Sequence, residues 1–218
     1  MMGIHGLRPA GEVYPPARAA AEKALELDPT LASAHTVLGD VSKGFDRDWE
    51  QAERRFQEAL RLNPNYAVAH QWYANLFSIL DRHAEAIAAV EQARRLDPLS
   101  ASIAGFVGFT YYRARRYDDA SRKVRKALDL GHALPLLNWF LGQVYAARGE
   151  YGLARAALSS AAEATHGRAM YLAMLGYVSG HAGDRQSASD ILTRLRRAAQ
   201  SAYVSPLDCV SHTAASAM

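Results

Sequence analysis

The tripeptides Leu27-Asp28-Pro29, Leu62-Asn63-Pro64 and Leu96-Asp97-Pro98 recur at spacings of 35 and 34 residues. A recurring unit constrains the fold more than composition does, because one copy cannot bury its own apolar face and must stack on the next. Stepping on by 34 reaches His132, which follows Leu130-Gly131, then His166 and Gln200, so the last three slots lack the proline. Alanine keeps the register where proline is lost. Twelve residues before the six slots stand Ala17, Ala52, Ala86, Ala120, Ala154 and Ala188; five before them stand Ala24, Ala59, Ala93, Ala127, Ala161 and then Leu195. With 42 alanines among 218 residues, six of six at one position would arise by chance about once in 20,000 trials.

Small residues also recur twenty-four positions before the slots, as Ala74, Gly108, Gly142 and Gly176. The counterpart in the first full repeat is Gly39, displaced by one residue inserted around Gly44 to Trp49. Small side chains at fixed intervals allow close approach. A glycine or alanine in the first helix of a unit lets the second helix cross it near backbone contact. Two alanines seven apart on the second helix admit the first helix of the next unit. Larger residues fill the space between: Tyr73 and Phe77, Val107 and Tyr111, Leu141 and Tyr145, and Leu175. Polar stretches such as Leu80-Asp81-Arg82-His83 and Arg148-Gly149-Glu150-Tyr151 are turns between paired helices, and Asp or Asn before proline ends the second helix.

A 34-residue helix-turn-helix unit with this pattern resembles the tetratricopeptide repeat. The resemblance implies an all-α fold, a right-handed α-solenoid of antiparallel helix pairs. It covers a half repeat at 11–29 and full repeats at about 30–64, 65–98, 99–132, 133–166 and 167–200, after a flexible segment at 1–10. The chain departs from the family pattern at His132, His166 and Gln200, and at Ser42 and Ser179 where an aromatic is usual. The tail at 203–218 offers Ser205 as an N-cap, Pro206 at the first helical position, and Leu207, Val210, Ala214 and Ala217 at helical spacing. A capping helix at about 206–216 is expected there. Further strings look narrower in origin: Phe45-Asp46-Arg47-Asp48-Trp49, Ala52-Glu53-Arg54-Arg55-Phe56, His70-Gln71-Trp72-Tyr73 and Tyr203-Val204-Ser205-Pro206. They resemble the C-terminal repeat arrays of bacterial signalling proteins, in which an array follows a winged-helix module, an adenylate cyclase or a serine/threonine kinase.

Several function classes fall away. Half the residues are apolar and 22% are charged, which fits a packed chain rather than a disordered one. The net charge of +3 and the pI near 9.0 do not by themselves indicate a nucleic-acid partner. Basic residues crowd two places, Arg113 to Lys126 and Arg194 to Arg197, where a solvated surface balanced by Asp118, Asp119 and Asp129 is the simpler reading. The single cysteine, Cys209, rules out an internal disulfide and a cysteine-based zinc site. No run approaches the roughly 20 apolar residues of a membrane span, and Met1 to Pro16 holds no secretory-type apolar stretch, so a cytoplasmic location is expected. No phosphate loop, dinucleotide fingerprint, zincin motif or nucleophile elbow occurs, so neither an enzyme nor a cofactor is expected. Periodicity accounts for four of the eight histidines, since His35 pairs with His70 and His132 with His166, and no metal site is expected. Cys209 with His212 three residues on is a weak nucleophile–base pair in the tail.

What remains is binding. In this family the first helices line a concave groove. The inward positions are Gln71, Trp72 and Asn75, then Phe106, Phe109, Tyr112 and Arg113, then Trp139, Phe140 and Gln143, then Met174 and Tyr177. Phe106 and Phe140 serve equally well as core between repeats. The expected partner-binding set is therefore Gln71, Trp72, Asn75, Phe109, Tyr112, Arg113, Trp139, Gln143 and Tyr177. Rings can seat apolar side chains and amides can pair with backbone, which suits an extended peptide. The family's lysine–asparagine clamp for a terminal carboxylate is matched only at Asn75. The expected function is a non-enzymatic scaffold for a protein or peptide segment, with no nucleic acid and no membrane span. The alternative is a regulatory module that packs on an effector domain or self-associates as a homodimer through its terminal repeats.

Overall fold

The computed structural model describes residues 9–131 and 135–201. Among these there are eleven α-helices and no strand: α1 Ala10–Leu27, α2 Ala32–Val41, α3 Trp49–Leu62, α4 Ala67–Ile79, α5 His83–Leu96, α6 Ala101–Arg113, α7 Tyr117–Asp129, α8 Pro135–Ala147, α9 Tyr151–Ala164, α10 Ala169–His181 and α11 Arg185–Ser201. They form two compact units, one of Ala10–Arg116 and one beginning at Tyr117. Each is a stack of helix pairs, and the all-α repeat fold expected from the sequence is what forms. The tail at 203–218, with its expected capping helix and the Cys209–His212 pair, lies outside the described residues.

The inserted residue has a definite structural form. Beyond α2 the backbone continues as a π-helical turn, Ser42–Asp46, in which the wider ladder absorbs one extra residue without breaking the helix. The bulge becomes a docking point for α1. Tyr14 stacks on Phe45 with ring centroids 5.7 Å apart, and a Cβ on Gly44 would come within 2.4 Å of the Tyr14 hydroxyl. Arg18 Nη2 donates to both Asp46 carboxylate oxygens at 2.5 Å. These contacts hold α1 in place even though Pro15 and Pro16 lie inside it and remove two backbone donors.

The turns explain how the register survives the loss of proline. Arg47, Asp81, Arg115, Gly149 and Gly183 all have left-handed backbone, with φ of 58°, 55°, 57°, 75° and 82°, and they succeed one another at intervals of 34 residues. Each reverses the chain between the two helices of a pair. The links between pairs use two chemistries. Asn63 and Asp97 are extended, with φ of −139° and −138°, as a following proline requires. Where proline is gone the chain uses left-handed residues instead, Gly131 at 84°, then His166 at 53° with Gly167 at 76°.

Packing follows the small residues. A Cβ on Gly39 would stand 2.8 Å from the Phe56 ring, and one on Gly142 would stand 2.5 Å from Leu158 Cγ. Ala52, Ala59, Ala86, Ala93, Ala120, Ala154 and Ala161 are fully buried. Between pairs, buried tyrosines meet charges of alternating sign. Tyr111 donates its hydroxyl to Glu91 at 3.0 Å while the Arg116 guanidinium lies 5.1 Å above its ring. One repeat later the signs are exchanged. Arg125 Nε donates to the Tyr145 hydroxyl at 2.8 Å, and Glu150 takes the place of Arg116.

Two stability measurements test these assignments. Arg115→Gly relieves a left-handed non-glycine residue, so thermal unfolding should rise by the equivalent of about 0.5–1 kcal/mol. Gly142→Ala drives a methyl into Leu158 and should lower stability by about 1–3 kcal/mol. A Gly142→Ala protein as stable as the parent would show that the α8–α9 crossing is not close-packed.

Candidate binding faces of the first helices

In the unit Ala10–Arg116, the π turn carries Lys43 onto the first-helix face. The Lys43 side chain is only 6% exposed and Asp40 13%, and the two ion-pair at 2.7 Å. Lys43 Nζ also donates to Asn75 Oδ1 at 2.8 Å and lies 4.9 Å above the Trp72 ring. Burial lifts the Asp40 carboxyl above the usual carboxylate range, and the Lys43 ammonium draws it partly back. Burial, with Asp40 adding to it, pushes the Tyr14 phenol up to about 12.

The expected binding residues divide by exposure. Trp72, placed by sequence on the open face, is 7% exposed and belongs to a core cluster with Phe56, Tyr73, Leu76 and Phe77. Gln71 is 2% exposed and donates Nε2 to Ser102 Oγ at 3.2 Å, tying α4 to α6. Asn75, Phe109 and Tyr112 are half-buried and Arg113 is exposed. Arg113 Nη2 donates to the Ser78 carbonyl at 3.3 Å and lies 4.0 Å from Asp81. Phe106 meets Phe109 edge-on at 6.3 Å.

In the unit beginning at Tyr117, Trp139 and Gln143 are half-buried on one side of α8. Phe140 is 6% exposed and 5.1 Å from the Trp139 ring, so it serves as core. On α10, the Tyr177 ring lies tilted against His181 with centroids 4.1 Å apart, and sequence had not singled His181 out; Met174 is half-buried. His181 Nδ1 pairs with the Tyr177 carbonyl at 3.0 Å, and its ring lies 6.0 Å from Tyr151.

Two histidines act as staples. His35 Nε2 and His70 Nε2 pair with the carbonyls of Pro29 and Pro64, at 3.2 and 2.9 Å, holding each turn to the helix after it. Among the described residues no group of three or more His, Cys, Asp or Glu side chains could hold a metal ion, and no helix is long and apolar enough to cross a membrane.

Comparison with known proteins decides the family. Tetratricopeptide-repeat family models match residues 46–108 and 110–169, together more than half of the chain. This chain belongs to the tetratricopeptide repeat family. As a member it is a non-enzymatic scaffold for protein–protein interaction. A curated relative, the small glutamine-rich tetratricopeptide repeat-containing protein 2 of Mycosarcoma maydis, is 27% identical over 104 residues, which is 47% of this chain but only 30% of that protein. Among solved structures, PilW, a type IV pilus biogenesis factor, is 22% identical with a TM-score of 0.73, covering 92% of this chain and 91% of its own. YrrB, a TPR protein with an unusual peptide-binding site, is 18% identical with a TM-score of 0.55, covering 91% and 98%. At these identities the two structures speak to the fold alone.

Lys43 and Asp40 escaped the sequence reading because the insertion breaks the 34-residue register where they stand. Asp40→Asn alone should destabilise by about 3 kcal/mol, since it leaves a buried ammonium without its counter-charge. The double replacement Asp40→Leu/Lys43→Met should restore most of that loss in denaturant titrations.

Proposed function

We propose that the chain binds a segment of another protein along the exposed faces of its first helices, in a bacterial regulatory system. One observation carries this reading. Apart from Arg113 and Met174, the expected side chains on those faces that are not sealed in the core are amides and rings, namely Asn75, Phe109 and Tyr112 in one unit and Trp139, Gln143 and Tyr177 in the other. Such a set suits peptide backbone and apolar side chains. YrrB, a similar fold with a peptide-binding site, lends support by fold likeness. The bacterial setting rests on the resemblance of the strings around Phe45, His70 and Tyr203 to signalling arrays.

A second reading has its own observation. Ala17 and Ala24 of α1 are only half-buried, whereas their counterparts Ala52 and Ala59 are fully sealed. No first helix of α1's own pair lies among the described residues. An effector domain or a second copy would cover that face. A lysate pull-down with the wild-type chain beside a Trp139→Ala/Gln143→Ala variant of normal fold separates the two. A partner kept by the first and lost by the second supports face binding. Undiminished capture, together with a dimer in light scattering, favours the second reading.

A further inference from the structure

Where the 34-residue period breaks, two rings stand out of the fold. Phe45, in the π turn, is 41% exposed, and Trp49, the first residue of α3, is 47% exposed; among the described residues no other aromatic side chain is as open. Phe45 has a structural use, since Tyr14 stacks on it, but the Trp49 ring meets no other ring among the described residues. Ile79, 40% exposed at the end of α4, extends the strip. Backbone and side-chain contacts gather the three on one edge of the unit Ala10–Arg116. The Asp48 amide donates to the Ser42 carbonyl at 3.0 Å, folding the start of α3 back on the π turn. One helical turn after Trp49, Glu53 accepts from Arg82 at 2.9 and 3.0 Å, which draws the turn after Ile79 against α3. Three repeats on, the residues equivalent to Trp49 and Ile79 are Tyr151 and His181, whose rings lie 6.0 Å apart. Large apolar side chains scattered singly are ordinary, whereas two rings and an isoleucine gathered on one edge mark a contact surface.

The charges narrow what meets this edge. The carboxylates that flank the rings in sequence are engaged within the chain: Asp46 accepts from Arg18, Asp48 from the Gln51 amide and Glu50 from Arg54. On the next turn Asp81 faces His83 at 3.8 Å and Arg113 at 4.0 Å. Arg47 stands between the two rings in the chain, is exposed, and has no ion pair among the described residues. An anionic membrane is held by a field of several unpaired lysines and arginines, and a single free cation set among apolar side chains is not such a field. It fits one carboxylate carried by an otherwise apolar ligand.

We propose that the strip of Phe45, Trp49 and Ile79 docks an apolar segment of a partner protein, one carboxylate of which pairs with Arg47. The strip lies at the turns within helix pairs and not along the first-helix faces, so it stands or falls separately from face binding. The test selects displayed random peptides on the full chain, with a folded Trp49→Ser/Ile79→Ser variant as soluble competitor. Peptides that survive should carry aliphatic residues beside an Asp or Glu, and are then titrated by calorimetry. Trp49→Ser should weaken them about tenfold or more, as loss of an aromatic anchor does. Arg47→Asn, which keeps the left-handed backbone accessible, should weaken them roughly 2- to 5-fold. Exchanging the peptide's acid for its amide should cost about the same against the parent chain and almost nothing against Arg47→Asn. Leu153→Ser, which removes an apolar side chain that is 50% exposed elsewhere, should leave binding unchanged. No surviving peptide, survivors without an acid, or affinity indifferent to Trp49 would overturn the proposal. So would binding confined to vesicles of phosphatidylcholine and phosphatidylserine, which would give the strip to a lipid surface, or a dimer in light scattering that Trp49→Ser dissolves, which would give it to a second copy. The acid–amide exchange on the peptide needs only the parent chain, so it decides the case even if a variant fails to fold.

Discussion

The rest of the structure depends on how closely two helices of a pair can approach. Gly39 lies against the Phe56 ring and Gly142 against Leu158, with no room for a further carbon. Approach of this kind commits one side of each first helix to its partner and draws the rings of Tyr73, Phe77, Tyr111 and Tyr145 into the seams. What is left over on the first helix is the face proposed for binding. The chemistry of that face is accordingly free to vary, because it carries none of the packing that closes the pair.

The π turn at Ser42–Asp46 shows how one residue can serve both purposes. On one side it offers Gly44, Phe45 and Asp46 to α1, which lacks a first helix of its own among the described residues and needs an anchor. On the other it carries Lys43 against Asp40, Asn75 and Trp72. Burying an ion pair contributes little to net stability, since desolvation offsets most of the attraction. Its effect here is geometric: it fixes the orientation of one amide and cancels the single lysine of the first-helix face.

Most of the fold was legible because the repeat states the same packing rule several times. The alanine register located every helix pair, and even the insertion was visible as a spacing of 35 instead of 34. The candidate face was read less completely, and for a physical reason. Inward and core-facing positions on a first helix lie one residue apart, so Trp72 was assigned to the open side although its ring is sealed among Phe56, Tyr73 and Leu76. Lys43 and Asp40 were invisible because their position is defined by the bulge and not by the period. His181 was missed because its place is set by tilted ring contacts with Tyr177 and Tyr151, which no spacing encodes.

The placement of charge carries a last consequence. Arginines and carboxylates pair mainly on the second helices, three or four residues apart, as in Arg54–Glu50, Arg61–Glu58 and Arg94–Glu91. The exposed pairs among them add solubility and little stability. The first-helix faces of both units hold mainly rings and amides instead, with Lys43 buried against Asp40 and Arg113 exposed at the end of α6. On a surface arranged this way, any partner would be discriminated mainly by contact, through the fit of apolar side chains against rings, and less by long-range attraction. That division of labour lets the charged exterior vary without altering the chemistry of the faces.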